Sequence, residues 1–295
     1  MTIRRTALIT AATVLALSAV AACNNGDDAQ SAPPAASSSP AASATASVSS
    51  TPSPTATTAA PTPTATVAPT PTATGAPVDA SGAFDPAVAL ANPDLTPYAA
   101  TETMKTTATA GGQGSVIVQT GRINFNTPTR ECRIETKMMV GDESDEPTIW
   151  MESISTGTAT FLRNKGKSGS AWSQSDTDSG DDADPSAYAK ALVKAGPAAR
   201  KGMEQKNGVP AYHLGARLTA AQIQAIDPKN YGRMVDQGVT AQDHDVWIDS
   251  FGRILAQAQS MKVPKGGTTV TSTITVTYTD FGPRETFADP TIAAG

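Results

Sequence analysis

The chain is poor in the residues that carry most protein chemistry. Its 295 residues hold two cysteines and two histidines, and aromatic residues make up 5%. With only His213 and His244, a zinc site built from closely spaced His and Cys ligands has little to draw on. A Ser/His/Asp triad would have to use one of the two, and neither has a nucleophile signature beside it. Gly166-Lys167-Ser168 ends like a phosphate-binding loop, but Phe161 stands where that loop needs its first glycine, so a hairpin loop is the better reading. The run Asp176, Asp178, Asp181, Asp182 and Asp184 sets oxygen ligands at short spacing. Counted as a calcium loop from Asp176, it puts Gly180 at the third ligand position and Ala187 where a bidentate Glu belongs, so a solvated connection is expected. No catalytic residue, metal or cofactor is assigned, and the chain is read as a non-enzyme. The net charge is −5 and no basic patch with interleaved aromatics is visible, which argues against a nucleic-acid partner.

Positive charge and aromatics are absent altogether from one long stretch. Between Asn24 and Gly82 there is no aromatic residue, no lysine and no arginine; almost everything is Ala, Pro, Ser, Thr or Gly. Such a segment cannot bury enough apolar surface to offset roughly 1–2 kcal/mol of backbone entropy per residue. It reads as a disordered tether with polyproline character, including the near-repeat Ala60-Pro61-Thr62-Pro63-Thr64-Ala65-Thr66 and Ala68-Pro69-Thr70-Pro71-Thr72-Ala73-Thr74. As a flexible coil it would span about 40–50 Å, and as extended polyproline more than about 150 Å. The composition also suits O-glycosylation.

What is present at the N-terminus sets the compartment. Arg4 and Arg5 precede an apolar stretch from Ala7 to Val20, and Val20-Ala21-Ala22-Cys23 supplies small residues ending in cysteine. The apolar stretch, about 14 residues, falls short of the ~20 that span a bilayer, so it reads as a secretory signal. The segment resembles the bacterial lipobox, whose cysteine is diacylated and becomes the mature N-terminus. The expected organisation is therefore signal peptide 1–22, lipidated Cys23 with the tether to 83, and one domain over 84–295. The protein is placed outside the cytoplasm, on the outer face of the cell membrane. A thioether at Cys23 leaves Cys132 without a partner for a disulfide, and Cys132 reads as a buried thiol on a strand.

Within 84–295 the periodicity is mostly that of strands. Val270, Ile274, Val276 and Tyr278 alternate with threonines, as Ile117, Ile123 and Phe125 fall on one face of their segment and Cys132, Ile134 and Met138 on one face of theirs. Asp245 to Val263 predicts a hairpin turning at Ser250-Phe251-Gly252-Arg253, and Pro147 to Leu162 another turning near Gly157. Two helices interrupt the strands: Pro185 to Ala195 behind Asp184, and Thr219 to Ile226 ending before Asp227-Pro228. The fold class expected is α+β, an antiparallel sheet curved strongly into a half-barrel around the helices.

Four segments resemble the actinobacterial LppX/LprG-like lipoprotein family. They are Thr160-Phe161-Leu162-Arg163 with Ala171-Trp172-Ser173, Gly202 to His213, Asp245-Val246-Trp247-Ile248-Asp249-Ser250-Phe251-Gly252-Arg253, and Val276 to Gly282 with Pro290. The resemblance covers about Met104 to Pro290. It implies a fold similar to the periplasmic lipoprotein carriers, with an apolar cavity beneath a bent sheet that binds acylated lipid for transfer across the envelope. Candidate lining residues are Ile117, Ile123, Phe125, Ile134, Met138, Leu192 and Val276. Two other readings stay open: a surface interaction or structural module with a closed core and an unidentified protein partner, and a hydrolase built on His213 or His244.

Overall fold

A computed structural model describes residues 75–143, 145–167, 170–175 and 184–292. The expected signal segment, Cys23 and nearly all of the tether lie outside the described residues, as do Asp176, Asp178, Asp181 and Asp182 of the acidic run. Among the described residues no helix is long and apolar enough to cross a membrane.

Among the described residues eleven strands form one antiparallel sheet. In chain order they are β1 (Tyr98–Ala110), β2 (Gln113–Phe125), β3 (Glu131–Val140), β4 (Ile149–Thr156), β5 (Thr160–Asn164), β6 (Ser173–Ser175), β7 (Arg200–Lys206), β8 (Val209–Thr219), β9 (Ala241–Ile248), β10 (Ile254–Lys265) and β11 (Thr268–Pro283). The spatial order β6-β5-β4-β3-β2-β1-β11-β10-β9-β8-β7 makes two meanders that meet where β1 pairs with β11. The sheet is open, with β6 and β7 as its edges. Both predicted hairpins form. Gly157, with φ 85, turns β4 into β5, and the segment 249–253 turns β9 into β10.

Among the described residues four α-helices are present where two were expected: α1 (Pro86–Leu90), α2 (Pro185–Lys194), α3 (Ala220–Gln224) and α4 (Pro228–Asp236). Three of them start alike. Asp85, Asp184 and Asp227 are N-caps whose side chains accept from backbone N–H groups, each followed by proline in the first turn. Proline suits that position because its missing N–H would be unpaired there anyway. Asp227-Pro228, which reads as a stop for the preceding helix, is thus also the start of the next. The α3 helix opens with a capping box between Thr219 and Gln222.

Residues ahead of the expected boundary at 84 also belong to the packed body. The Ala76 N–H donates to the Ser250 carbonyl at 2.7 Å, and Ala76 and Phe84 are both buried in the core. This arm packs on the β9–β10 turn. There the Asp249 carboxylate accepts from the N–H groups of Phe251 and Arg253 and from Arg253 Nε at 2.7 Å. Gly252, with φ 86, sits so close to α1 that any Cβ would collide with the Ala89 carbonyl. The Asp-x-x-Gly-Arg motif is therefore a turn clamp and a docking point for the arm.

Candidate functional site

One face of the sheet carries the core, and the cross-strand register assigns its residues. In β2 the odd positions face inward, in β3 the even ones, and in β1 and β11 the even ones. The helices pack chiefly on β8 and β9, at one end of this inner face.

The expected lining residues separate into two groups. Ile123, Phe125, Ile134 and Leu192 are buried in the main cluster, with Val276 packed against it. Leu192 is fully enclosed between α2 and the sheet. An aromatic set closes the end of this cluster: Tyr98 stacks on Phe125 at 5.1 Å, and Phe125 meets Tyr278 edge-on at 5.0 Å. Ile117 and Met138 stand apart. They are cross-strand partners, and with Ile149 they form a second apolar cluster on β2, β3 and β4. Gln119 and Thr136, the next inward pair along β2 and β3, lie between the two groups and are joined by a 3.1 Å hydrogen bond.

Polar residues also run across much of this face. Glu102, Thr106, Ser115, Gln119, Thr136 and Ser272 are all buried inward-facing positions. The signal was available in the strict alternation of β1, whose inward residues are Glu102, Met104, Thr106 and Ala108. The hydroxyls of Thr106 and Ser115 are buried and have no hydrogen-bond partner. A third such hydroxyl, Thr160, lies on β5.

Beneath β9 the polar groups are paired. Tyr188 of α2 donates to Asp227 at 2.8 Å, and Asn230 of α4 donates to the Tyr188 hydroxyl and to Gln242 Oε1 at 3.0 and 3.2 Å. His244 Nε2 lies 3.1 Å from the same oxygen of Gln242, so its proton sits on Nε2. Tyr188 stacks on the His244 ring at 4.7 Å. Burial pushes the His244 pKa down to about 4, against the opposing pull of Asp243, Asp245 and Asp227, so the ring is neutral at pH 7. Burial, aided by Asp227, pushes the Tyr188 hydroxyl well above the ordinary tyrosine range.

His213 lies on the opposite face. Its Nε2 is 2.7 Å from Asp245, its Nδ1 faces Glu204 at 3.7 Å, and its ring stacks on Trp247 at 4.5 Å. Cys132 is buried on the inner face of β3, and burial raises its thiol pKa. Among the described residues no group of three or more His, Cys, Asp or Glu side chains is arranged to hold a metal ion. Asp184, the described member of the acidic run, caps α2. An open groove of about 500 Å3 lies between the arm and β7–β8, with Phe84, Tyr212 and Arg200 among its walls.

The chain matches no protein-family model, and no curated protein matches it. Among solved structures it is similar to LprF from Mycobacterium bovis, at 14% identity over 65% of this chain and 89% of that one, with a TM-score of 0.34. LprF is LppX/LprG-like, the lipoprotein family that the four sequence motifs resemble. A DUF1329 family protein from Desulfovibrio piger is similar over 68% of this chain and 90% of that one, at 10% identity and a TM-score of 0.20.

Proposed function

We propose that this protein is a lipoprotein of the cell envelope, anchored through a lipid on Cys23, whose sheet curves around an acyl-lipid ligand and does not catalyse a reaction on it. The observation that carries the reading is the second apolar cluster, Ile117, Met138 and Ile149. It lies on the inner face of strands away from β8 and β9, where the helices pack. Acyl chains suit apolar side chains of this kind, since each buried CH₂ contributes about 0.8 kcal/mol without any directed contact. A non-catalytic role is supported by the two histidines: His244 is hydrogen-bonded within the core, and His213 is held between two carboxylates on the other face.

Both clusters also fit the second reading, a closed-core interaction module, because Ile123, Phe125, Ile134 and Leu192 are packed at 0–8% exposure and Ile117 and Met138 at 0–3%. Native mass spectrometry of the full-length protein carrying Cys23→Ser, purified without detergent, separates the two. Copurifying or added acyl lipid that is lost on Ile117→Trp supports the carrier. A clean protein mass, with no uptake of phospholipid or triacylglycerol, rejects it and leaves the interaction module.

A further inference from the structure

Charge is unevenly spread over the body. The chain carries a net −5, yet residues 190–206 hold Lys190, Lys194, Arg200, Lys201 and Lys206 against a single carboxylate, Glu204. Lys190 and Lys194 are exposed one turn apart on α2, and Arg200 and Lys201 are exposed at the start of β7, an edge strand. A 3-10 turn, Pro197–Ala199, links the two elements. Among the described residues none of Lys190, Lys194 and Lys201 has a carboxylate partner; Lys190 donates to the Ser186 hydroxyl and Lys201 to the Ala198 carbonyl. The carboxylates on the adjoining segments, Asp79, Asp85 and Asp184, are turned to local partners. Each accepts from backbone N–H groups of its own segment, and Asp85 also meets Arg200 at 3.4 Å. The same corner exposes aliphatic side chains: Val78 on the arm and Val88 on α1 are 53% and 49% exposed. Val78 and Arg200 both line the groove between the arm and β7–β8, and α1 packs against α2. Basic groups set around exposed aliphatics suit a surface that settles on anionic lipid, the cations among phosphates and the aliphatics below them.

We propose that this corner, made by the arm, α1, α2 and the start of β7, docks on a membrane surface carrying anionic phospholipid. Lys190, Lys194, Arg200 and Lys201 lie among the headgroup phosphates, and Val78 and Val88 enter the interface. The place of the corner in the chain favours a membrane as the partner. The chain enters the body through the arm, where the Ala76 N–H donates to the Ser250 carbonyl. A body held at this corner brings these side chains to the lipid first. Each basic group near an anionic surface strengthens binding about fivefold, so the four together bind only weakly by themselves. Weak binding suffices, because the tether keeps the body at a high local concentration beside the membrane. The docking rests on the anchoring through Cys23 proposed above and is independent of any acyl ligand.

The test uses the chain from Asn24 to Gly295, which keeps tether and body and lacks both the apolar signal and the lipidated cysteine. Its sedimentation is measured at low salt with vesicles of equal parts phosphatidylglycerol and phosphatidylcholine, and with phosphatidylcholine alone. The chain is expected to sediment with the anionic vesicles only, and to be released by added salt as its charges are screened. Lys190→Gln with Lys194→Gln and Lys201→Gln should weaken that binding on the order of a hundredfold. Lys262→Gln with Lys265→Gln removes exposed lysines at the far end of β10 from the turn that holds the arm, and should leave binding unchanged. Val88→Ser should weaken binding severalfold without altering its salt dependence. All the substituted side chains are exposed, so each variant should melt with the parent. Absence of binding to the anionic vesicles overturns the docking, and so does equal binding to phosphatidylcholine. An equal loss in the Lys262 and Lys265 variant marks a response to net charge alone and overturns it too. Binding to dissolved polyglutamate as tight as to vesicles assigns the corner to an acidic polypeptide and rejects the membrane. Cell fractionation of the Cys23→Ser chain reads the anchor separately, so failure of the anchor and failure of the docking are told apart.

Discussion

At the scale of single residues, the most consequential group is His244. Its folded pKa of about 4 lies below the ordinary histidine value of 6.5, so between those values the unfolded chain binds the proton more readily. Stability is therefore complete above pH 6.5 and is lost as pH falls toward 4, by about 3 kcal/mol once both states are protonated. Urea unfolding from pH 7 to 4 should show this loss, and His244→Gln should flatten the profile over that window. Acid sensitivity below it has a different origin. Glu152 is held below the usual carboxylate range although burial works against this, because the guanidinium groups of Arg133 and Arg163 outweigh it. Its contribution is lost only as pH falls below about 4.5. Neither effect was legible from the residues alone. A histidine between two aspartates on an alternating strand reads the same on either face, and only the register decides which way it points.

At the scale of elements, the local signals held where the chemistry was local. Asp184-Pro185 starts a helix and Thr219 caps another, as their sequences predict. The α4 helix carries the same Asp-Pro signal, which in sequence reads as a stop because it closely follows a short helix. Asp227 has two tasks there, capping α4 at the Asn230 N–H and accepting from the Tyr188 hydroxyl. Asp227→Ala should therefore cost about 2–3 kcal/mol, more than the ~1 kcal/mol of an ordinary cap, since it also leaves a buried tyrosine hydroxyl short of a partner. Chemical denaturation checks this, and Asp85→Ala, whose cap is exposed, is the control with the smaller effect. The β9–β10 turn offers a second test. Gly252→Ala meets both a left-handed backbone and the Ala89 carbonyl, so a loss of roughly 2–4 kcal/mol is expected, with the arm 75–90 becoming protease-sensitive before the sheet.

At the scale of the whole molecule, the arm and the proposed anchor bracket the chain's behaviour. Because Ala76 belongs to the core and bonds the Ser250 carbonyl, a chain starting at Phe84, which lacks it, should melt several degrees below one starting at Gly75. Equal melting temperatures would show that the arm rests on the body without stabilising it. Cys23→Ser should move the protein from the membrane fraction to the soluble extracytoplasmic fraction, as expected if two acyl chains supply the anchoring. Cell fractionation reads this directly.

Composition and spacing by themselves determined the antiparallel strands, the two hairpins and the first cap of each expected helix. These follow from interactions within a few residues: alternation, and side chains that satisfy nearby N–H groups. The tertiary structure alone decided that Leu192 and Ile134 close a core while Ile117 and Met138 stand in a separate cluster, because that depends on where helices packed on β8 and β9 come to lie. It alone brought Thr106 and Ser115 together on one buried face. Their pairing is set by the register of a long hairpin, and a hydroxyl's lack of a partner is a property of everything around it rather than of its neighbours in sequence.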